Sequence, residues 1–305
     1  MTRTIEVGGQ AVINGIMLRS SRYVVTAVRD RNKIIYRKDR LWKKPKFLEF
    51  FFIRGIVNLI EMLVIGVRSL NWSANQSVGK EEEISNMYII LTLFVAFIFA
   101  IFLFLFLPYL LTLLVGLSEE RNPIFFNLFD GAVKIAILLL YIYLISFIGE
   151  IKDVFRYHGA EHKVVFCYEQ GDKLDVRSAS KYGTLHPRCG TAFLLIVVFL
   201  GIFLFSFIPL LLNYVYPEIN SLPWFFRRIV FFVSRILFLP LIAGFSYEIL
   251  KIGSKNRRSI LRFLSYPGLL VQKLTTREPT SEQLDVAIFA LKKLLELEEG
   301  HTKSF

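Results

Sequence analysis

Two stretches of this chain, Met87–Leu117 and Thr191–Pro217, run without a single Asp, Glu, Lys or Arg. About 20 apolar residues let a helix cross a bilayer, because only a helix satisfies its own backbone there. Both stretches read as transmembrane helices. Two more segments of that length are apolar but carry charge: Pro123–Gly149 with Asp130 and Lys134, and Ile229–Ile252 with Arg235, Glu248 and Lys251. Asp130 and Lys134 stand four apart, the spacing at which side chains pair on one helix face. Together with Arg235 they are expected to form an internal ion-pair cluster rather than a transport path. A fifth apolar stretch, Phe47–Leu70, has Arg54, Glu61 and Arg68 every seven residues, with Asn58 beside them. That narrow polar stripe suits an interfacial or re-entrant helix. The fold class expected is a mainly α membrane protein of about four transmembrane helices plus this fifth helix.

Composition narrows the alternatives. Hydrophobic residues make up 54% of the chain and 30 residues are Phe, which excludes a disordered chain; two cysteines exclude a disulfide scaffold. The net charge of +12 is topological on such a chain. Lys43, Lys44 and Lys46 precede the first span. Lys152, Arg156, Lys163, Lys173, Arg177, Lys181 and Arg188 lie between the second and third, and Lys255, Arg257, Arg258 and Arg262 follow the fourth. The positive-inside rule then places both termini and the 150–190 loop in the cytoplasm, with Arg227 and Arg228 as a minor departure. The bilayer is the expected partner and nucleic acid is not. The polar, Gly-containing start does not read as a secretory leader.

The soluble parts carry local signals. Tyr23–Arg29 and Lys33–Lys38 are β-prone runs flanking Asp30-Arg31-Asn32, a hairpin pattern, and Val7–Val12 followed by Asn14-Gly15 reads as strand and turn. The glycines fit no phosphate-binding fingerprint. Thr280 and Gln283 form a capping box ahead of Leu284, Ile288, Leu291 and Leu295, one face of an amphipathic packing helix. Leu261, Phe263 and Leu264 among Arg257, Arg258 and Arg262 suggest a segment resting on the inner leaflet. The organisation is thus a β-rich segment (1–46), the interfacial helix and linker (47–85), two spans (86–149), a His/Cys-rich loop (150–190), two further spans (191–252) and an amphipathic tail (253–305).

Chemistry concentrates in that loop. Of four histidines, His158, His162 and His186 lie there, as do both cysteines, Cys167 and Cys189; His301 sits alone in the tail. His158 and His162 are four apart, so a helix continuing the second span would point both rings the same way. Two such imidazoles can share a Zn²⁺. Glu161 completes an H-x-x-E-H string, in which the Glu serves as general base for hydrolysis. His186 and Cys189 follow just before the third span, with Pro187 shaping the turn. Three His with an open fourth position make a catalytic shell, and all three plus Cys189 make a closed, structural one. Glu169 is a further ligand or a partner to an imidazole N–H. The bland readings are a metal-free His pair, a buried Cys167 of no catalytic use, and Lys163 and Arg188 at lipid phosphate rather than at an anionic substrate. A Cys167–Cys189 disulfide is not expected in the cytoplasm.

Four blocks carry a resemblance: Val7-Gly8-Gly9-Gln10-Ala11-Val12-Ile13-Asn14-Gly15, Tyr157-His158-Gly159-Ala160-Glu161-His162-Lys163, Leu185-His186-Pro187-Arg188-Cys189-Gly190-Thr191 and Thr275-Thr276-Arg277-Glu278-Pro279. Together they resemble the bacterial YqhQ family across nearly the whole chain. The resemblance implies a multispan inner-membrane protein described as a metal-dependent enzyme, and supplies no substrate. The function expected is a membrane-embedded hydrolase acting at the cytoplasmic face on a membrane protein segment or a lipid-linked group. Its metal set is drawn from His158, His162, His186, Cys189 and Glu169, with Glu161 as base and Zn²⁺ as the preferred ion. The alternative is a scaffold or carrier whose metal is structural.

Overall fold

The computed structural model describes residues 5–51, 53–78, 86–187, 189–255 and 266–302. The chain opens with a four-stranded antiparallel meander, β1 (Gly8–Val12), β2 (Gly15–Arg19), β3 (Tyr23–Asp30) and β4 (Lys33–Arg40), in spatial order 1-2-3-4. The helices are α1 (Ile53–Val78), α2 (Asn86–Ile101), α3 (Leu107–Leu114), α4 (Pro123–Ile145), α5 (Gly149–Glu169), the single turn α6 (Val176–Ala179), α7 (Gly190–Phe205), α8 (Ile208–Val215), α9 (Trp224–Lys255), α10 (Tyr266–Thr275) and α11 (Ser281–Thr302).

The two central strands are apolar at almost every position because both faces of the sheet are covered. Ile16, Leu18, Val25 and Ala27 point to one side, where Ala160 and Val164 of α5 and Leu284, Leu291 and Leu294 of α11 complete a core. Met17, Val24 and Val28 point to the other, against Met62, Ile65 and Trp72 of α1. The register pairs Leu18 with Val25 and Met17 with Thr26, so each cross-strand pair serves one face. β4 is an edge strand, and Lys33, Arg37, Lys38 and Arg40 along it oppose further strand addition. The capping box forms in both directions. The Thr280 N–H donates to Gln283 Oε1 at 3.0 Å and the Gln283 N–H to Thr280 Oγ1 at 3.3 Å. Leu284, Ile288 and Leu291 are buried as the spacing predicts.

Among the described residues three helices are long and apolar enough to cross a membrane, Met87–Leu114, Pro123–Ile145 and Trp224–Ile252. A fourth results if the pair Leu195–Phe205 and Ile208–Val215, bent by 41°, is one span. The third sequence span is therefore broken rather than straight. Pro209 in the first turn of α8 has no N–H to continue the ladder, and Ser206 turns its hydroxyl onto Ile202 O at 2.7 Å. In the first span the single turn Phe102–Phe106 between α2 and α3 widens to π geometry just ahead of Pro108.

Three sequence expectations change. The fifth helix does not end at Leu70 but runs to Val78, and Arg54, Asn58 and Glu61 of its polar stripe face protein while Arg68 is exposed. Arg54 grips Glu248 of α9 through Nε and NH2 at 2.6 and 2.5 Å, Asn58 Nδ2 donates to Tyr247 OH at 2.7 Å, and Glu61 accepts from Arg19 and Lys44. A Cβ on Gly55 would meet the backbone of Gly244, so α1 and α9 touch closely here. The opposite face, with Ile53, Ile60, Leu63 and Val64, is exposed and apolar. Second, α5 is not a continuation of α4, because the helix breaks at Ser146–Ile148, with Ile148 extended. Third, Arg227 and Arg228 are met by Glu120, whose Oε1 lies 2.9 and 3.7 Å from them. The leaflet-resting residues Arg257, Arg258, Leu261, Arg262, Phe263 and Leu264 lie outside the described residues, as does Arg188.

Asp130, Lys134 and Arg235, on two of the apolar helices, form one cluster. Asp130 pairs with Lys134 at 2.5 Å and with Arg235 NH1 at 3.0 Å. The same guanidinium donates to Glu119 Oε1 at 2.9 Å and Asn127 Oδ1 at 2.7 Å, and lies 4.9–5.2 Å from the rings of Tyr109, Phe126 and Phe205. Glu119, in the short loop between α3 and α4, is a member that sequence spacing does not reveal.

Candidate metal centre

The break before α5 turns that helix under the sheet. His158 and His162 then project from one side of it, one turn apart, with ring centroids 4.5 Å from each other. The segment after α10 crosses α5 at this level. The Arg277 N–H donates to Phe155 O at 2.9 Å, and a Cβ on Gly159 would collide with the Arg277 carbonyl. Gly159→Ala is expected to push this strap off the helix at a cost of about 1–3 kcal/mol, the range for overpacking. The checks are a lower melting temperature in detergent and faster proteolysis between 276 and 280.

Both imidazoles are oriented by backbone carbonyls. His158 Nδ1 lies 2.9 Å from Thr275 O, and His162 Nδ1 bonds Thr184 O. A carbonyl only accepts, so each Nδ1 carries the proton and each Nε2 keeps its lone pair. Those two lone pairs converge on Cys189, the N-cap of α7. His158 Nε2 is 3.2 Å from Cys189 Sγ, and ligand atoms from His158, His162 and Cys189 all lie within 4.8 Å of one another. His162 Nε2 is buried and has no hydrogen-bond partner of good geometry.

Glu161 stands at the edge of this cluster, its Oε2 4.0 Å from His162 Nε2. Burial raises its pKa, an effect opposed by His158 and His186. Burial also lowers the pKa of His162 and of His186, which favours the neutral, ligating form. The Gly-Gly-Gln block reaches the site here. A Cβ on Gly9 of β1 would approach Glu161 Oε1 to 3.3 Å, so the glycine lets the carboxyl lie against the strand. Its neighbour Gln10 donates to Gly66 O of α1 at 3.2 Å.

The other sequence candidates take supporting places. His186 has its ring 5.6 Å from that of His162 and 4.3 Å from Phe166, its Nε2 lies 3.7 Å from Glu169 Oε1, and it stands outside the converging three. Gln272 of α10, which no motif marks, clasps the His186 backbone on both sides: the His186 N–H donates to Oε1 at 2.8 Å, and Nε2 donates to His186 O at 2.9 Å. Cys167 is a buried core thiol 3.4 Å from Lys173 O, and both cysteines are free. Lys163 is tied to Ser180 O and Glu278 at 3.2 and 2.5 Å. Of His301 only the backbone is described.

These features define a class: a mainly helical protein with three or four membrane-length apolar helices, a small antiparallel sheet, and a His/His/Cys cluster where the two parts meet. The chain belongs to the family described as a protein of unknown function (DUF1385), whose model matches residues 50–297. It is 35% identical to the uncharacterized protein YqhQ of Bacillus subtilis (strain 168) over 315 residues, covering 95% of this chain and 92% of that protein. No solved structure matches the chain.

Proposed function

We propose that this protein is a metal-dependent hydrolase embedded in the bacterial inner membrane. In this reading both termini and the His/Cys site face the cytoplasm, and the site acts on a substrate held at the membrane. The observation that carries it is the pair of carbonyl-locked imidazoles whose free Nε2 atoms converge on one thiol, with a buried carboxyl 4.0 Å from one of them.

The donor set suits zinc, which takes nitrogen and thiolate together. Ligands at ordinary Zn–N and Zn–S lengths in a tetrahedral shell lie about 3.5 Å apart, and the His158–Cys189 distance of 3.2 Å is close to that. His158, His162 and Cys189 would hold the ion, which would supply Lewis acidity and make water a stronger acid near neutral pH. The residues around it have separable tasks. Thr275 and Thr184 hold the imidazole tautomers, Gln272 fixes the turn that presents Cys189, and Glu161 takes the proton from the attacking water and returns it to the leaving group. An apolar cavity of about 530 Å³ lies between α4, α7, α9 and α10, and its wall includes Phe155 and Thr275. Thr275, whose carbonyl orients His158, links this cavity to the candidate ligands, none of which lines it. The rival reading, a scaffold or carrier with a structural metal, requires His186 to close the shell, yet His186 stands outside the group formed by His158, His162 and Cys189.

Metal analysis of the purified protein, with cobalt substitution, tests the reading. One metal per chain and a thiolate-to-cobalt band that moves on adding azide are expected. Absence of retained metal, or a closed tetrahedral spectrum indifferent to azide, overturns it. Glu161→Gln is expected to keep the metal within about twofold while turnover falls about 10²–10⁴-fold, the usual contribution of a general base. Mass spectrometry of native membranes incubated with either form reads this as products that only the parent enzyme releases. Equal product formation by the variant removes Glu161 from the mechanism.

A further inference from the structure

We propose that the seam between α1 and strands β3 and β4 is a binding site for an anionic phospholipid, separate from the metal centre. A groove of about 420 Å³ runs along this seam. Its floor is apolar, with Val24 and Leu41 on the sheet side and Val57, Ile60, Val64 and Ile65 on α1. Its rim is cationic: Arg37 and Arg40 on β4 face Arg68 on α1. Arg37 is held by Asp39 at 2.9 Å, and Glu61 is satisfied by Arg19 and Lys44. Arg40 and Arg68 are exposed and have no carboxylate partner among the described residues. An apolar trough rimmed by two uncommitted guanidiniums complements a ligand with a phosphate at one end and hydrocarbon at the other.

The position of the groove selects a lipid rather than a soluble phosphate. Its α1 wall begins at Val57, beside the contacts that fasten Gly55 and Asn58 to Gly244 and Tyr247, near the end of the membrane-length segment of α9. Trp42, which lines the groove, is 64% exposed, as suits an amphipathic ring at headgroup level, and Phe47, Phe50 and Phe51 a few residues on are 60–66% exposed apolar rings. The inference rests on the membrane placement proposed above, not on a metal or on catalysis.

The test uses the full-length protein, purified in non-ionic detergent and stripped of lipid. Native mass spectrometry would count phosphatidylglycerol and phosphatidylcholine retained per chain, with inorganic phosphate as a competitor. Phosphatidylglycerol is expected to bind, and the double variant Arg40→Gln/Arg68→Gln to weaken it at least ~10-fold, the scale of one charge-assisted hydrogen bond. Arg177→Gln, at an exposed position of α6, controls for loss of bulk positive charge. Val64→Trp, which fills the floor without touching charge, is expected to reduce retention as well. Equal retention of the two lipids, displacement by phosphate alone, or unchanged binding by the double variant overturns the site. Metal content measured on the same samples is expected to stay constant throughout, so failure here is distinguishable from failure of the metal reading.

Discussion

Cys189→Ser is expected to strip the metal from the purified protein, from about one equivalent per chain to below a tenth after dialysis against a chelator. Serine is nearly isosteric and can still cap α7, so the fold is retained and the change isolates the thiolate. Outer-shell partners of a metal site are commonly worth ~10–100-fold in affinity, and a direct ligand is worth more. The variant also removes the thiolate-to-cobalt band, a signature that mere loosening of the 184–189 turn would not abolish. His162→Ala is expected to lose metal to the same extent, but it leaves Thr184 O without its donor and opens space beside a buried ring. Its melting temperature therefore falls, whereas that of metal-free Cys189→Ser stays near that of the metal-free parent. Metal retention by Cys189→Ser would mean that the converging nitrogens do not share an ion with sulfur.

Arg235→Leu is expected to destabilise the apolar helices by about 3–5 kcal/mol, the cost of leaving buried charge without its partner. The guanidinium is 2% exposed, and removing it leaves Glu119 and Asp130 with Lys134 as the nearest cation. Arg235→Lys restores the charge but not the fan of donors that reaches Glu119, Asp130 and Asn127 together, and is expected to recover only part of the loss. Adding Glu119→Gln to Arg235→Leu removes the stranded carboxylate and should be less damaging than the sum of the single changes. Thermal unfolding of the parent, Arg235→Leu, Glu119→Gln and the double variant in one detergent gives the coupling. Strict additivity would mean that the cluster does not act as a unit.

What could be read from the sequence followed from short-range rules. The hairpin at Asp30-Arg31-Asn32, the Thr280–Gln283 box, the pairing of Asp130 with Lys134 and the stacking of His158 over His162 all depend on residues within a few positions of each other. What escaped depends on chain separations of tens to hundreds of residues. Glu119 is invisible as a partner of Arg235 until α3, α4 and α9 assemble. Gln272 carries no motif, and Gly159 looks like an ordinary helix flaw until the Arg277 carbonyl is laid over it. The polar stripe of α1 was legible as a pattern, but periodicity alone does not distinguish a stripe turned to headgroups from one turned to Glu248 and Tyr247.

The enclosure of the site has a consequence for synthesis. Gly9 near the beginning, the Thr275 carbonyl and the Arg277 strap near the end all border the α5 cluster, and Glu298 reaches back to Ser20 and Arg22. The walls contributed by residues 275–277 are made well after α5, so on the metal reading proposed above loading is expected only once this later segment has closed over a pair of imidazoles made much earlier.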